Sequence, residues 1–264
     1  MQRLPTIFVT HGAPTLILDD CPARDFLGAL GRQLPRPKAV VCVSAHWEAA
    51  RAVASAAPRP QTIHDFYGFP QALFEMRYPA PGAPAVAGRV AGLLHAAGIS
   101  CVVDPLRGLD HGAWVPLKLM YPEHDVPAFQ LSVQTPLGPA HHVAMGKALA
   151  PLRDEGVLIL GSGSATHNLA DFRYVRGLAD PARPYVKPFD DWLVKTVEAG
   201  DEKGLAGYES APEGRRNHPT PEHFLPIFVP FGAALAAGEG RGRAIHRSTT
   251  YGIIAMTAFA WGMA

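Results

Sequence analysis

Apolar and polar positions along the chain follow two alternating rhythms. Short apolar runs recur at residues 6–10, 39–44, 100–103, 128–133 and 157–160, each closed by polar residues, Gly or Pro. Runs of this length and make-up are the pattern of buried strands. Longer stretches with apolar residues at helical spacing lie between them, at 23–34, 84–97, 140–152 and 185–199. In the second of these, Val86, Val90, Leu93 and Leu94 share one face. Strands alternating with helices predict an α/β fold: a single domain with a mostly parallel or mixed central sheet flanked by helices. Residues 243–258 read as two strands joined by a loop, a mixed edge to that sheet. No linker, repeat or composition shift divides the chain, so residues 1–264 are expected to form one domain.

Sites on open α/β sheets collect beyond the carboxyl ends of the strands. The first strand runs into Thr10-His11-Gly12-Ala13-Pro14 and the second into Ser44-Ala45-His46-Trp47-Glu48. The strand at 157–160 runs into Gly161-Ser162-Gly163-Ser164-Ala165-Thr166-His167-Asn168. Three strands therefore each deliver a histidine just past their end, more than chance placement of the chain's 12 histidines explains. Imidazole is a common neutral ligand for Zn, Fe, Cu and Ni. Two further histidines stand in suggestive places. His111 lies beside Gly112 at the opening of a helix. His223 follows Thr220-Pro221-Glu222, where Thr220 as N-cap and Pro221 as first helical residue put Glu222 and His223 in the first turn. Adjacent helical residues point about 100° apart, so one of the two is expected to face a metal.

Composition narrows the function class. A formal net charge of +1 and scattered basic residues give no footprint for nucleic acid or a membrane surface. The three cysteines, Cys21, Cys42 and Cys101, are odd in number and widely spaced, against both a disulfide framework and a thiolate zinc site. Cys42, inside an apolar run, is expected to be a buried, inert thiol. The chain shows no signal-like segment and no apolar stretch long enough to cross a bilayer, which makes the cytoplasm the expected compartment. The 26 prolines and 26 glycines sit between the periodic segments and predict ordered loops around a compact scaffold.

The ordinary reading of a single histidine is a surface or hydrogen-bonded structural residue. His95, His124, His141, His142 and His246 fit it. His64 is intermediate, because Asp65-Phe66-Tyr67-Gly68-Phe69-Pro70 beside it is an unusually aromatic loop that could wall a planar substrate. Competing motifs are incomplete. The Gly161-to-Ser164 segment lacks the third Gly of a dinucleotide fingerprint and the Lys of a P-loop. Ser162 lacks the glycine spacing of a nucleophile elbow. The residues alone leave open a metal-dependent enzyme, such as a zinc hydrolase with Glu222 as base, and a non-catalytic metal binder.

Six of these stretches, in order along the chain, resemble the class III extradiol ring-cleavage dioxygenases. They are Thr10-His11-Gly12-Ala13-Pro14, Ser44-Ala45-His46-Trp47-Glu48, the aromatic loop 65–70, Leu109-Asp110-His111-Gly112-Ala113-Trp114, the segment 161–169, and His218-Pro219-Thr220-Pro221-Glu222-His223. They look most like the single-chain, DOPA 4,5-dioxygenase branch of that family, related to the catalytic subunit that opens protocatechuate. The resemblance implies that His11, His46 and His223 bind the metal, with Glu222 the competing third ligand. It implies that His167 is the acid/base histidine, or a fourth metal contact, and that His111 is a further active-site histidine. Asp65, Tyr67 and Phe69 are then expected to contact substrate.

The same resemblance implies Fe(II) as the working metal, with Zn able to occupy the site, and a catechol and dioxygen as the small-molecule substrates. It also implies no second subunit. A general base near the metal would take the second catechol proton, and a histidine titrating near neutrality suits that task.

Overall fold

The computed structural model of the chain describes residues 3–263. Among these residues ten strands form, β1 (Thr6–Thr10), β2 (Ala39–Glu48), β3 (Ala52–Ser55), β4 (Cys101–Asp104), β5 (Ala128–Val133), β6 (Val157–Gly163), β7 (Arg243–His246), β8 (Thr249–Thr250), β9 (Ile254–Ala255) and β10 (Ala258–Trp261). Eight of them make one sheet in the order β4-β3-β5-β2-β6-β1-β10-β7. The centre, β5-β2-β6-β1, is wholly parallel. Towards one edge β10 and β7 run antiparallel, and towards the other β3 is antiparallel to β5. The sheet is thus mixed, with the expected parallel heart.

The helices are α1 (Pro22–Gln33), α2 (Gln71–Glu75), α3 (Pro84–Ala96), α4 (His111–Met120), α5 (Gly138–Leu149), α6 (Val186–Ala199), α7 (Glu202–Ala206), α8 (Gly214–Asn217) and α9 (Phe228–Leu235). Side chains alternate across a strand, and the core divides accordingly. Phe8, Val41, Val43 and Ile159 pack with Val90 and Leu94 of α3, Leu149 of α5, Phe189 of α6 and Phe228 of α9. Ile7, Val9, Val40, Cys42 and Leu160 pack on the other face with Leu27 and Leu30 of α1 and Trp114 and Leu117 of α4. No helix among the described residues is long and apolar enough to cross a membrane. All three cysteines are buried and free.

The elements depart from expectation in several places. Residues 243–258 hold three short strands, β7, β8 and β9, and the start of β10, rather than two strands joined by a loop. β3 was not foreseen, because Ala52-Val53-Ala54-Ser55 carries little strand signal. β2 runs on past Ser44, with an irregular register against β5 between Val43 and Glu48. The helix expected to open at Pro221 does not form there. Residues 221–224 make a turn, a 3-10 segment follows at Leu225–Ile227, and α9 begins at Phe228. The Thr220 hydroxyl bonds the Glu222 carboxylate at 3.0 Å instead of capping a backbone N–H.

Candidate metal centre

β2, β6 and β1 are neighbours, and their carboxyl ends align: Ser44 pairs with Ser162, and Thr10 with Gly163. His11 follows Thr10, its N–H donating to the Gly163 carbonyl at 3.0 Å. His46 stands in the irregular end of β2, where its N–H donates to Ser44 Oγ at 3.2 Å. His223 arrives from another part of the chain, and glycine makes room for it. A Cβ at Gly163 would stand 2.1 Å from the His223 carbonyl oxygen, and one at Gly161 would stand 2.3 Å from that of Pro226. The bare flank of β6 therefore lets segment 223–226 lie directly on the strand, fixed by Ser164 N–H donating to the His223 carbonyl at 2.8 Å. This close approach is the structural use of the Gly-Ser-Gly sequence.

The Nε2 atoms of these three histidines meet. His11 Nε2 lies 3.0 Å from His46 Nε2, which lies 3.3 Å from His223 Nε2. Ligands about 2.0–2.1 Å from one ion, at angles of about 90–109°, stand about 2.8–3.4 Å apart. The far side of two of the rings is hydrogen-bonded, and that of the third faces a carboxylate. Ser162 Oγ donates to the Gly112 carbonyl and accepts from His11 Nδ1 at 3.1 Å. Glu222 Oε1 accepts from His223 Nδ1 at 2.9 Å. Asp65 Oδ2 lies 3.6 Å from His46 Nδ1. The hydrogen bonds at His11 and His223 assign the proton to Nδ1 and leave an Nε2 lone pair on those rings, and the Asp65 carboxylate facing His46 Nδ1 favours the same tautomer there. Lone pairs facing each other at this distance repel unless a cation lies between them, so the donor set fits a metal ion. Burial, then the neighbouring imidazoles, holds His11 and His223 well below their ordinary pKa; burial, then His111, brings His46 to about 3. All three are neutral, and so able to ligate, at pH 7.

Two more histidines complete a ring around this point. His111 opens α4, capped by Asp110, whose carboxylate accepts from Ala113 N–H at 3.3 Å and from Ser44 Oγ at 2.7 Å. Its Nδ1 lies 3.0 Å from Asp65 Oδ1, and its ring lies 3.9 Å from that of His46. His167 stacks on His223 with centroids 3.4 Å apart and planes 12° apart. Burial lowers its pKa to about 4, against a raising influence from Glu222, below the near-neutral range expected of the acid/base histidine. The five histidines floor a cavity of about 320 Å³.

The structure thus brings together all five histidines singled out in the sequence. Glu222 stands behind His223 rather than in its place. Of the aromatic loop, Phe69 lines the cavity together with Phe66, which the sequence reading had not selected. Tyr67 is 91% exposed and does not line it. Asp65 sits beneath His46 and His111 as a bridge between them. Sequence reasoning also missed Ser162 as the partner of His11, and Leu169, Phe172 and Ile254 as lining; none carried a distinguishing signal. The remaining histidines are tied structurally. His142 accepts from Gln134 N–H at 3.1 Å, His95 accepts from Cys101 N–H at 3.3 Å, and His246, which ends β7, stacks on Phe26.

Comparison with known proteins bears on this geometry. The family model described as the catalytic LigB subunit of aromatic ring-opening dioxygenase matches residues 5–259. A protein of Beta vulgaris named 4,5-DOPA dioxygenase extradiol is 43% identical over 260 residues, covering 96% of this chain and 95% of that protein. One of the same name from Escherichia coli K12 is 40% identical, covering 88% and 85%. A crystal structure of an uncharacterised Escherichia coli K12 protein superposes with a TM-score of 0.80 at 34% identity, covering 98% of this chain and all of the other. These likenesses decide among the functions left open by the residues, against the hydrolase and the non-catalytic binder. The chain belongs to the family of the catalytic LigB subunit of aromatic ring-opening dioxygenases, and it is an enzyme of that class.

Proposed function

We propose that the chain opens the ring of a catechol, DOPA or a close relative, by extradiol cleavage with dioxygen at a metal held by His11, His46 and His223. The observation that carries this reading is the convergence of three Nε2 atoms, with His11 Nδ1 and His223 Nδ1 hydrogen-bonded on the opposite side and His46 Nδ1 facing the Asp65 carboxylate. The relatives named 4,5-DOPA dioxygenase extradiol support the substrate class. Fe(II) is the working metal in this reading, and Zn fits the same nitrogens. When bound, the metal supplies Lewis acidity and open positions for the catechol oxygens and dioxygen.

The chain's own residues do the rest. His167 is neutral at pH 7, so its imidazole has a lone pair to accept a catechol hydroxyl proton at the cavity floor. Its stacking on His223 sets where that lone pair stands. His111, braced by Asp65, supplies a second imidazole to orient the substrate oxygens. Phe66 and Phe69 stand against the ring and exclude water. Residues 1–264 act as one catalytic domain, without a second subunit. The three buried free thiols agree with a reducing, cytoplasmic compartment.

The test is dioxygen uptake after anaerobic loading with Fe(II), using DOPA, caffeate and protocatechuate. The expected result is one dioxygen consumed per catechol, with a yellow ring-opened product. Absence of uptake with every catechol, from protein shown to hold iron, contradicts the reading.

A further inference from the structure

The loop that leaves β6 carries His167 to the cavity, and a neighbouring segment grips that loop at two points. Asn217 ends α8, and His218 follows as its C-cap. The Asn217 carbonyl accepts from the His167 N–H at 2.8 Å, and His218 Nε2 donates to the Ala165 carbonyl at 2.9 Å. Asn217 is itself fixed, its Nδ2 donating to the Tyr185 and Glu213 carbonyls at 2.9 and 3.1 Å. His218 is 4% exposed and wedged among Phe189, Tyr208 and Phe224, with ring centroids 5.3, 5.8 and 4.7 Å away. A polar ring in such carbon surroundings is costly unless it is hydrogen-bonded, and an apolar side chain of its size would fill the space without that cost. The bond to Ala165 is what its polarity serves. That bond holds the peptide two residues before His167, whose ring stands 3.4 Å from that of His223.

From this we infer that His218 is a positioning residue for His167: through the Ala165 carbonyl it holds the loop so that the His167 imidazole stays stacked on His223 at the cavity. His218 does not itself line the cavity. The inference rests on the acid/base reading of His167 only for its effect on turnover. Without the donor, the buried Ala165 carbonyl is left unpaired, and its peptide must turn to find another partner, carrying His167 with it. Other bonds keep the loop folded when His218 is changed. Thr10 Oγ1 accepts from Ala165 N–H at 2.9 Å, and Thr166 Oγ1 donates to the Ile253 carbonyl at 2.9 Å. His223 is held separately, by Ser164 N–H and by Glu222, so the metal ligands keep their places. Misplacing a reacting group by about 1 Å costs on the order of 10²-fold in rate.

His218→Leu removes the donor, whereas His218→Gln keeps one, because its Nε2 stands as many bonds from the backbone as that of histidine. In crystals of His218→Leu the His167 ring is expected to leave its stack on His223, and in His218→Gln to keep it. On the iron-loaded protein with DOPA, His218→Leu is expected to lose on the order of 10²-fold in kcat, with KM and Zn affinity unchanged, and His218→Gln to recover most of that loss. Adding His218→Leu to His167→Ala is expected to slow the enzyme no further, because a group that acts through His167 then has nothing left to position. Should His218→Leu fail to fold, His218→Asn, whose shorter side chain withdraws the donor, carries the same expectations. An unchanged stack in His218→Leu, losses that multiply in the double variant, or a His218→Gln no better than His218→Leu overturns the inference. A displaced ring with the expected rescue, beside full turnover in His167→Ala, upholds the inference and overturns the acid/base reading instead.

Discussion

Glu222 Oε1 lies 2.9 Å from His223 Nδ1, on the opposite side of the ring from the nitrogen that meets His46. A carboxylate in that position fixes the tautomer and ring orientation and raises ligand basicity, and losing such a partner typically costs about 10–100-fold in metal affinity. Glu222→Gln is therefore expected to bind metal with affinity lowered by about that factor, yet to fill at excess metal. His223→Ala is expected to remain unfilled under the same conditions. Calorimetric titration with Zn on both variants checks this. Equal losses would make Glu222 itself a ligand.

His167 lies against His223 without joining the three Nε2 atoms. His167→Ala is expected to keep its iron and bind catechol nearly normally, and to lose about 10²–10⁴-fold in kcat, the usual share of a proton-transferring group. Iron content, melting temperature and kcat on one preparation separate the possibilities. Iron lost in step with activity would mark a fourth ligand, and a lowered melting temperature with activity kept per folded molecule would mark a structural role.

Gly163 is where β6 yields to the His223 backbone. A methyl group there would stand 2.1 Å from the His223 carbonyl oxygen, with the Pro226 ring also close at 3.2 Å. Overpacking of this kind costs about 1–3 kcal/mol, and the segment that moves carries His223. Gly163→Ala is expected to lower both the melting temperature and Zn affinity, whereas Gly28→Ala, with open space around the added carbon, should change neither adversely. Unaltered Zn affinity in Gly163→Ala would show that His223 is placed by something else.

His142 predicts the pH dependence of folding. It is buried in α5, accepts from Gln134 N–H, donates from Nδ1 to the Gly138 carbonyl at 2.7 Å, and has its pKa lowered by burial to about 4. An unfolded histidine titrates near ~6.5. Between these values the unfolded chain binds the extra proton, so the contribution is present above about pH 6.5 and lost as pH falls toward 4. Urea midpoints are expected to drop between pH 7.5 and 5. His142→Asn should be less stable at pH 7.5 but lose less on acidification. An identical drop in the variant would assign the effect to other groups.

How much was legible in the chain depended on whether a side chain's neighbours are set by local sequence. His11 and His46 could be read because apolar runs of residues 6–10 and 39–44 end beside them, and parallel neighbouring strands carry their ends to one place. His223 could be read from local sequence only as one of a pair with Glu222, and the resemblance chose between them. The position of His223 depends on Gly161 and Gly163 admitting a distant segment, which spacing does not reveal. Thr220 and Pro221 misled because their helix-opening chemistry is real, but the threonine hydroxyl found the Glu222 carboxylate first. Asp65 and Tyr67 were grouped as substrate contacts on an aromatic loop, yet the backbone there turns Asp65 inward to two histidines and Tyr67 out to solvent.

The most direct measurement of the central claim is the anomalous difference map of a crystal loaded with Zn. One peak is expected about 2.0–2.1 Å from Nε2 of each of His11, His46 and His223, with Glu222 bonded to His223 Nδ1 and outside the coordination sphere. A peak coordinated by a Glu222 oxygen in place of His223, or a metal seated away from His11 and His46, would contradict the account.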